Sequence, residues 1–114
     1  VHRLVVASDT GIVINPAMVE AQLRSAAIYG LSAALTGKIT IEHGRVSQNN
    51  FNDYTVLRHP EAPVIETVLI SSTEKPSGVG ELSTPPVAPA VANAWFAATG
   101  KRLRSLPFSD AKTT

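Results

Sequence analysis

The run Pro76-Ser-Gly-Val-Gly-Glu81 sets a carboxylate directly behind two glycines that bracket a valine. Gly78 and Gly80 can take positive φ and let the backbone come close to a bulky ligand. Glu81 then stands at the mouth of that approach, where a carboxylate can act as a general base. The backbone N–H groups of Gly78, Val79 and Gly80, just ahead of an expected helix, suit an oxyanion or a phosphate. The same residues also suit a plain loop-to-helix turn with a solvated glutamate. A short glycine motif does not choose between the two.

Other chemistries find less support. His2, His43 and His59 are scattered, with no i, i+4 pair, so no metal site is expected from this chain's own histidines. No Gly-Lys-Ser/Thr follows the glycines, which argues against a nucleotide P-loop, and Gly78 to Glu81 is too short for a dinucleotide fingerprint. The chain has no cysteine, so it can form no disulfide and ligate no iron–sulfur cluster through thiolates. Asp9 and Asn15 read as a turn former and a helix cap. Tyr54 reads as a packing residue with a hydrogen-bonded hydroxyl.

The elements that must position Glu81 are legible in part. Leu4 to Ser8 is rich in β-branched residues and predicts a strand. Asn15-Pro16 is a helix start, and Val19, Leu23, Ala26, Ala27, Gly30, Leu31 and Ala34 recur at helical steps up to Leu35. Lys38 to Glu42 and Arg45 to Gln48 predict two strands joined by a His43-Gly44 turn. Asn49 to Ala62 reads as irregular, and Glu66 to Ser71 as a further strand. A second helix should run from Thr84 or Val87 to Thr99, capped by Gly100, with Arg102 to Leu106 as a closing strand. This order predicts an α+β two-layer sandwich, with two helices packed on one face of a small mixed sheet.

Size and charge narrow the field. A chain of 114 residues suits one domain, and 44% hydrophobic with 17% charged residues is a globular composition. Ten basic against nine acidic residues give a net charge of +1, which offers no electrostatic case for nucleic acid or an anionic membrane. No apolar run is long enough for a membrane span. The first residue is Val1, which is read as the start of a piece of something longer.

Four stretches, in order, resemble a known family: Asp9-Thr-Gly-Ile-Val-Ile-Asn-Pro16, Val19-Glu-Ala-Gln22, Asn52-Asp-Tyr54, and Gly78-Val-Gly-Glu81 with Ala88-Pro-Ala-Val-Ala-Asn-Ala94 behind it. From Asp9 to Phe108 the chain resembles the C-terminal part of the molybdenum-binding subunit of the xanthine dehydrogenase and aldehyde oxidase family, in its isoquinoline 1-oxidoreductase beta-subunit branch. The resemblance implies that residues 1–108 are a C-terminal molybdopterin-binding domain fragment, with 109–114 a flexible tail. It implies that Glu81 is the catalytic base beside the molybdenum, that Gly78, Val79 and Gly80 lie near the metal's ligands, and that Gln22 hydrogen-bonds the pterin. A glutamine both donates and accepts, which fits a pterin edge. The family commonly carries Gly where this chain has Ala21, which adds a methyl group beside that contact. Taken alone, Gln22 also reads as an exposed helical glutamine.

The activity so implied is oxidation of an aldehyde or an N-heterocycle with water as oxygen donor, using a molybdenum-pterin cofactor in the full-length subunit. The isolated chain is expected to lack that cofactor and to be inactive. Its implied partners are the remainder of the molybdenum subunit and an iron–sulfur small subunit. Self-association of the fragment is a further expectation. A periplasmic setting is implied by the branch, with the cytoplasm left open. The alternative is a non-catalytic α+β module that serves ligand binding or subunit assembly.

Overall fold

The computed structural model describes residues 1–111. Strand β1 (Arg3–Ser8) leads through a turn into helix α1 (Pro16–Thr36). A short hairpin follows, β2 (Ile41–Glu42) and β3 (Arg45–Val46), and then an irregular stretch with a 3-10 turn at His59–Glu61. Strand β4 (Val64–Leu69) and helix α2 (Thr84–Thr99) complete the main elements.

The chain begins α1 where Asn15 and Pro16 say it should. The Asn15 side-chain oxygen accepts a hydrogen bond from Met18 N at 3.1 Å, and proline fills the first helical position, where its missing N–H costs nothing. One face of α1 is buried through Leu23, Ala26, Ala27, Gly30, Leu31 and Ala34, the spacing expected of a core-facing helix. Ala27 and Leu31 meet Val87 of α2, and Leu4, Val6 and Ile65 pack against them from the sheet. Both helices therefore lie over one face of the β1–β4 pair.

The small residues of the α1 face let α2 come very close. A Cβ built on Gly30 would lie 2.6 Å from the backbone oxygen of Thr84. Thr84 seals the contact: its Oγ1 donates to the carbonyl of Ala26 at 3.0 Å. At the other end of α2, Gly100 takes the left-handed conformation, φ 72°, and its N–H bonds back to Phe96 O. Three prolines are accommodated near the start of α2. Pro85 and Pro86 occupy the first turn, where an N–H has no helical partner in any case.

The strands divide into two pairs rather than joining in a single sheet. β1 and β4 are parallel, with Arg3 opposite Val64 and Ser8 opposite Leu69. β2 and β3 form a separate antiparallel hairpin. Its turn uses His43 at φ 51° and Gly44 at φ 75°, the two consecutive positive angles that a tight two-residue hairpin needs. The hairpin is shorter than its sequence suggests because Gln48 closes it with its side chain. Gln48 Oε1 accepts from Thr40 N at 2.7 Å, and its Nε2 donates to Thr40 Oγ1. The strand expected over Glu66 to Ser71 starts two residues earlier and ends at Leu69.

The expected closing strand over Arg102 to Leu106 does not form. The Arg102 guanidinium sits 3.6 Å from the centre of the Phe96 ring, a cation–π contact that holds this segment against α2 and away from the sheet. Within the segment expected as a tail, Ser109 and Asp110 belong to a 3-10 turn at Phe108–Asp110, and the Asp110 carboxylate pairs with the Lys38 ammonium. Residues 112–114 lie outside the described part.

The Gly30 contact yields a direct test. Gly30→Ala forces a methyl group into the Thr84 backbone, and such overpacking costs about 1–3 kcal/mol. Helix propensity returns about 1 kcal/mol at most, so chemical denaturation should show a net loss of stability. Gly78→Ala, whose Cβ meets nothing within 4 Å, should shift the midpoint by no more than about 0.5 kcal/mol.

Candidate functional site

Glu81 lies in the segment between β4 and α2, and that segment is clamped at both ends. At its start, the turn after β1 takes hold of it. The Asp9 carboxylate accepts from Gly11 N at 3.0 Å and shapes the turn. Gly11 at φ 73° presses against the backbone of Lys75, where a Cβ would come within 2.2 Å of the carbonyl oxygen. Ile12 N donates to Glu74 O at 2.9 Å, and Ser77 N donates to Thr10 O at 3.0 Å. Thr10 is itself buried. At the far end, Thr84 N donates to Glu81 O at 2.9 Å, and Thr84 is fastened to α1.

Between these clamps the chain leaves its own groups unused. A Cβ on Gly78 or on Gly80 would meet nothing within 4 Å, so nothing inside this chain requires glycine at either place. The N–H groups of Gly78, Val79 and Gly80 make no hydrogen bond among the described residues. Glu81 is exposed and Val79 is half-buried. This is a fixed strip of open backbone with a carboxylate at its end.

Two details depart from the sequence reading. Gly78 and Gly80 do not take positive φ; the glycines that do are Gly11, Gly44 and Gly100. What the pair contributes is the absence of side chains, not a special backbone angle. The start of α2 is also a poor anion site. Pro85 and Pro86 have no N–H to offer, and Thr84 N is already spent on Glu81 O. Donors for a polar ligand come from the loop itself.

Gln22 is exposed on α1. It lies four residues, or about 6 Å of helix rise, before Ala26, whose carbonyl receives Thr84. The α1–α2 contact thus sets Gln22 about one turn along α1 from the anchor of the Glu81 loop.

The Asn52-Asp-Tyr54 stretch has a structural duty. Asp53 accepts from Asn50 N at 2.9 Å and from Asn49 N at 2.9 and 3.0 Å, which closes the turn before Tyr54. The Asn50 and then the Asn49 amide hydrogen bonds hold the Asp53 carboxyl below its usual range. Tyr54 packs at a cleft of about 480 Å³ beside Tyr29, Ser32, Phe51 and Leu57, and its hydroxyl has no hydrogen bond among the described residues. The expected bonded hydroxyl is therefore not seen. No group of His, Cys, Asp and Glu that could hold a metal ion is present among the described residues, and no described helix is long and apolar enough to cross a membrane.

Sequence reasoning missed Gly11, Gly30, Ser77 and Thr84. Gly11 and Ser77 lie inside the quoted stretches, Gly30 reads only as one position of a helix face, and Thr84 only as a possible helix start. Their partners lie far away in the chain, so no local signal could have shown their roles.

Residues 1–63 match the family described as Molybdopterin cofactor-binding domain. The chain belongs to this family. Two curated relatives extend the match over nearly all of it. Membrane-bound aldehyde dehydrogenase [pyrroloquinoline-quinone] of Gluconacetobacter polyoxogenes is 40% identical over 110 residues, covering 96% of this chain and 14% of the relative. Isoquinoline 1-oxidoreductase subunit beta of Brevundimonas diminuta is 38% identical over 111 residues, covering 97% and 14%. The chain thus spans 14% of the length of these relatives. The fold has counterparts in solved structures. Quinoline 2-oxidoreductase from Pseudomonas putida 86 superposes with a TM-score of 0.82 at 20% identity, over 93% of this chain and 15% of that one. The Cu,Mo-CO dehydrogenase gives 0.75 at 25% identity, over 86% and 13%.

The Asp53 turn carries a pH dependence with a definite sign. A carboxyl held below its ordinary value stabilises the fold above that value, 3.8, and the contribution is lost as pH falls through the lowered folded value. Asp53→Asn should therefore lower the denaturation midpoint at pH 7, and the gap to the parent chain should narrow at acid pH well below 3.8. An equal gap at both pH values would contradict the role.

Proposed function

We propose that this chain forms one wall of the active site in the large subunit of a molybdenum hydroxylase. Glu81 is its general base, and Gln22, Gly78, Val79 and Gly80 contact the pterin cofactor. The observation that carries the reading is the clamped strip from Gly78 to Glu81. The chain fixes both ends through Thr10 and Thr84, yet leaves the glycine faces and three amides without a partner of its own. Such a strip suits a bulky cofactor that the rest of the protein also holds.

The residues fit such a group on one side. Two glycines give a flat approach, and the free N–H groups of residues 78–80 match the acceptors of an oxygen-rich ligand. Gln22 can donate through Nε2 and accept through Oε1 along a pterin edge. When bound, the molybdenum-pterin group supplies the two-electron oxidation of an aldehyde or electron-poor N-heterocycle, with water as oxygen donor.

This chain's part in that reaction is proton transfer and positioning. Glu81 takes up a proton at a carboxylate oxygen as the water-derived oxygen becomes nucleophilic, and returns it to solvent afterwards. Its exposure here leaves the carboxylate open to a substrate cavity whose other walls belong to the remainder of the subunit. Electrons leave through an iron–sulfur subunit, and this chain, which has no cysteine, offers no thiolate ligand to a cluster.

Two variants of the full-length enzyme separate the roles. Glu81→Gln keeps the shape but removes the base, so turnover should fall about 10²–10⁴-fold with molybdenum content unchanged. Gly80→Val fills the open face, so metal and pterin content should fall while the stability of this domain stays the same. Normal rate in the first variant, or normal cofactor content and rate in the second, would refute the assignment.

A further inference from the structure

The β1–β4 pair has two free edges, and one of them borders a groove. Val64 N donates to His2 O and Ile70 N donates to Ser8 O. Those two bonds fix the phase of the parallel ladder, which turns the N–H groups of Leu4, Val6 and Ser8 toward β4. The N–H and C=O groups of Val5 and Ala7 point the other way. They make no hydrogen bond among the described residues.

Beside that edge lies a cavity of about 160 Å³. One wall is β1 from Leu4 to Ala7. The other is α2 through Ser83, Pro86, Val87 and Ala90, an i, i+3, i+4, i+7 face. Ser83 is 2% exposed and its Oγ makes no hydrogen bond. It stands at the N-cap of α2 but cannot cap it, because the next two acceptor-seeking positions are Pro85 and Pro86, which have no N–H. That hydroxyl is sealed beneath the groove, whose accessible wall is apolar.

We propose that this groove docks a β-strand from the part of the full-length polypeptide outside this chain, which adds to the free edge of β1. The added strand pairs with Val5 and Ala7 and packs small apolar side chains on Pro86 and Ala90. The curated relatives carry the matched region within one much longer chain, of which it is 14%, and a covalently joined strand has a high effective concentration. The proposal rests on the chain's being part of such a polypeptide and is independent of the role of Glu81.

Hydrogen–deuterium exchange of the full-length protein, resolved to single amides, tests it. Val5 and Ala7 should exchange about 100-fold or more slowly than unstructured amides, at every protein concentration. Rapid exchange at Val5 and Ala7, whatever the behaviour of Leu4 and Val6, overturns the proposal. Protection that vanishes on dilution also overturns it, since the occupant would then be a second copy of the protein.

Discussion

The arrangement depends on one backbone contact: α2 begins against α1 at Gly30, so closely that even a methyl group there would strike the Thr84 carbonyl. The Thr84 hydroxyl then bonds the Ala26 carbonyl and makes the approach specific. Because Thr84 also closes the turn after Glu81, the helix crossing and the placement of the carboxylate are one event. The apolar contacts of Ala27, Leu31 and Val87 supply most of the burial, but they would tolerate a sliding helix. The glycine contact does not.

The second clamp works on the same principle. Gly11 brings the turn after β1 onto the backbone of Lys75, and Thr10 holds Ser77. The turn after β1 thereby holds the start of the Gly78–Glu81 strip, and Thr84, fastened to α1, holds its end. Between the clamps the backbone is held without being filled. A site built this way is positioned before its ligand arrives, and only the ligand's own contacts remain to be made.

Much of this was legible in the residues. The β-branched run of β1, the periodic face of α1, the Asn15-Pro16 start and the His43-Gly44 turn are local signals, and each matches its element to within a residue. The α+β layering follows from their order. The strand expected at Arg102 to Leu106 was a local reading overruled by a side-chain contact with Phe96. The angles expected at Gly78 and Gly80 failed for a different reason: a glycine can be needed for bareness as well as for φ. Gly11 and Gly30 act on backbone 64 and 54 residues away in the chain, and no window along the sequence reveals such partners.

The proposed role of this chain requires that the strip from Gly78 to Glu81 face the cofactor. A crystal structure of the full-length, cofactor-loaded protein, with the molybdenum located by its anomalous scattering, tests this most directly. Glu81 should lie beside the metal's coordination shell, with its carboxylate within hydrogen-bond reach, about 3 Å, of a group on or next to it, and a residue 78–80 amide should be directed at the same site. A metal found elsewhere, with Glu81 and the two glycines facing solvent or another domain, would contradict it.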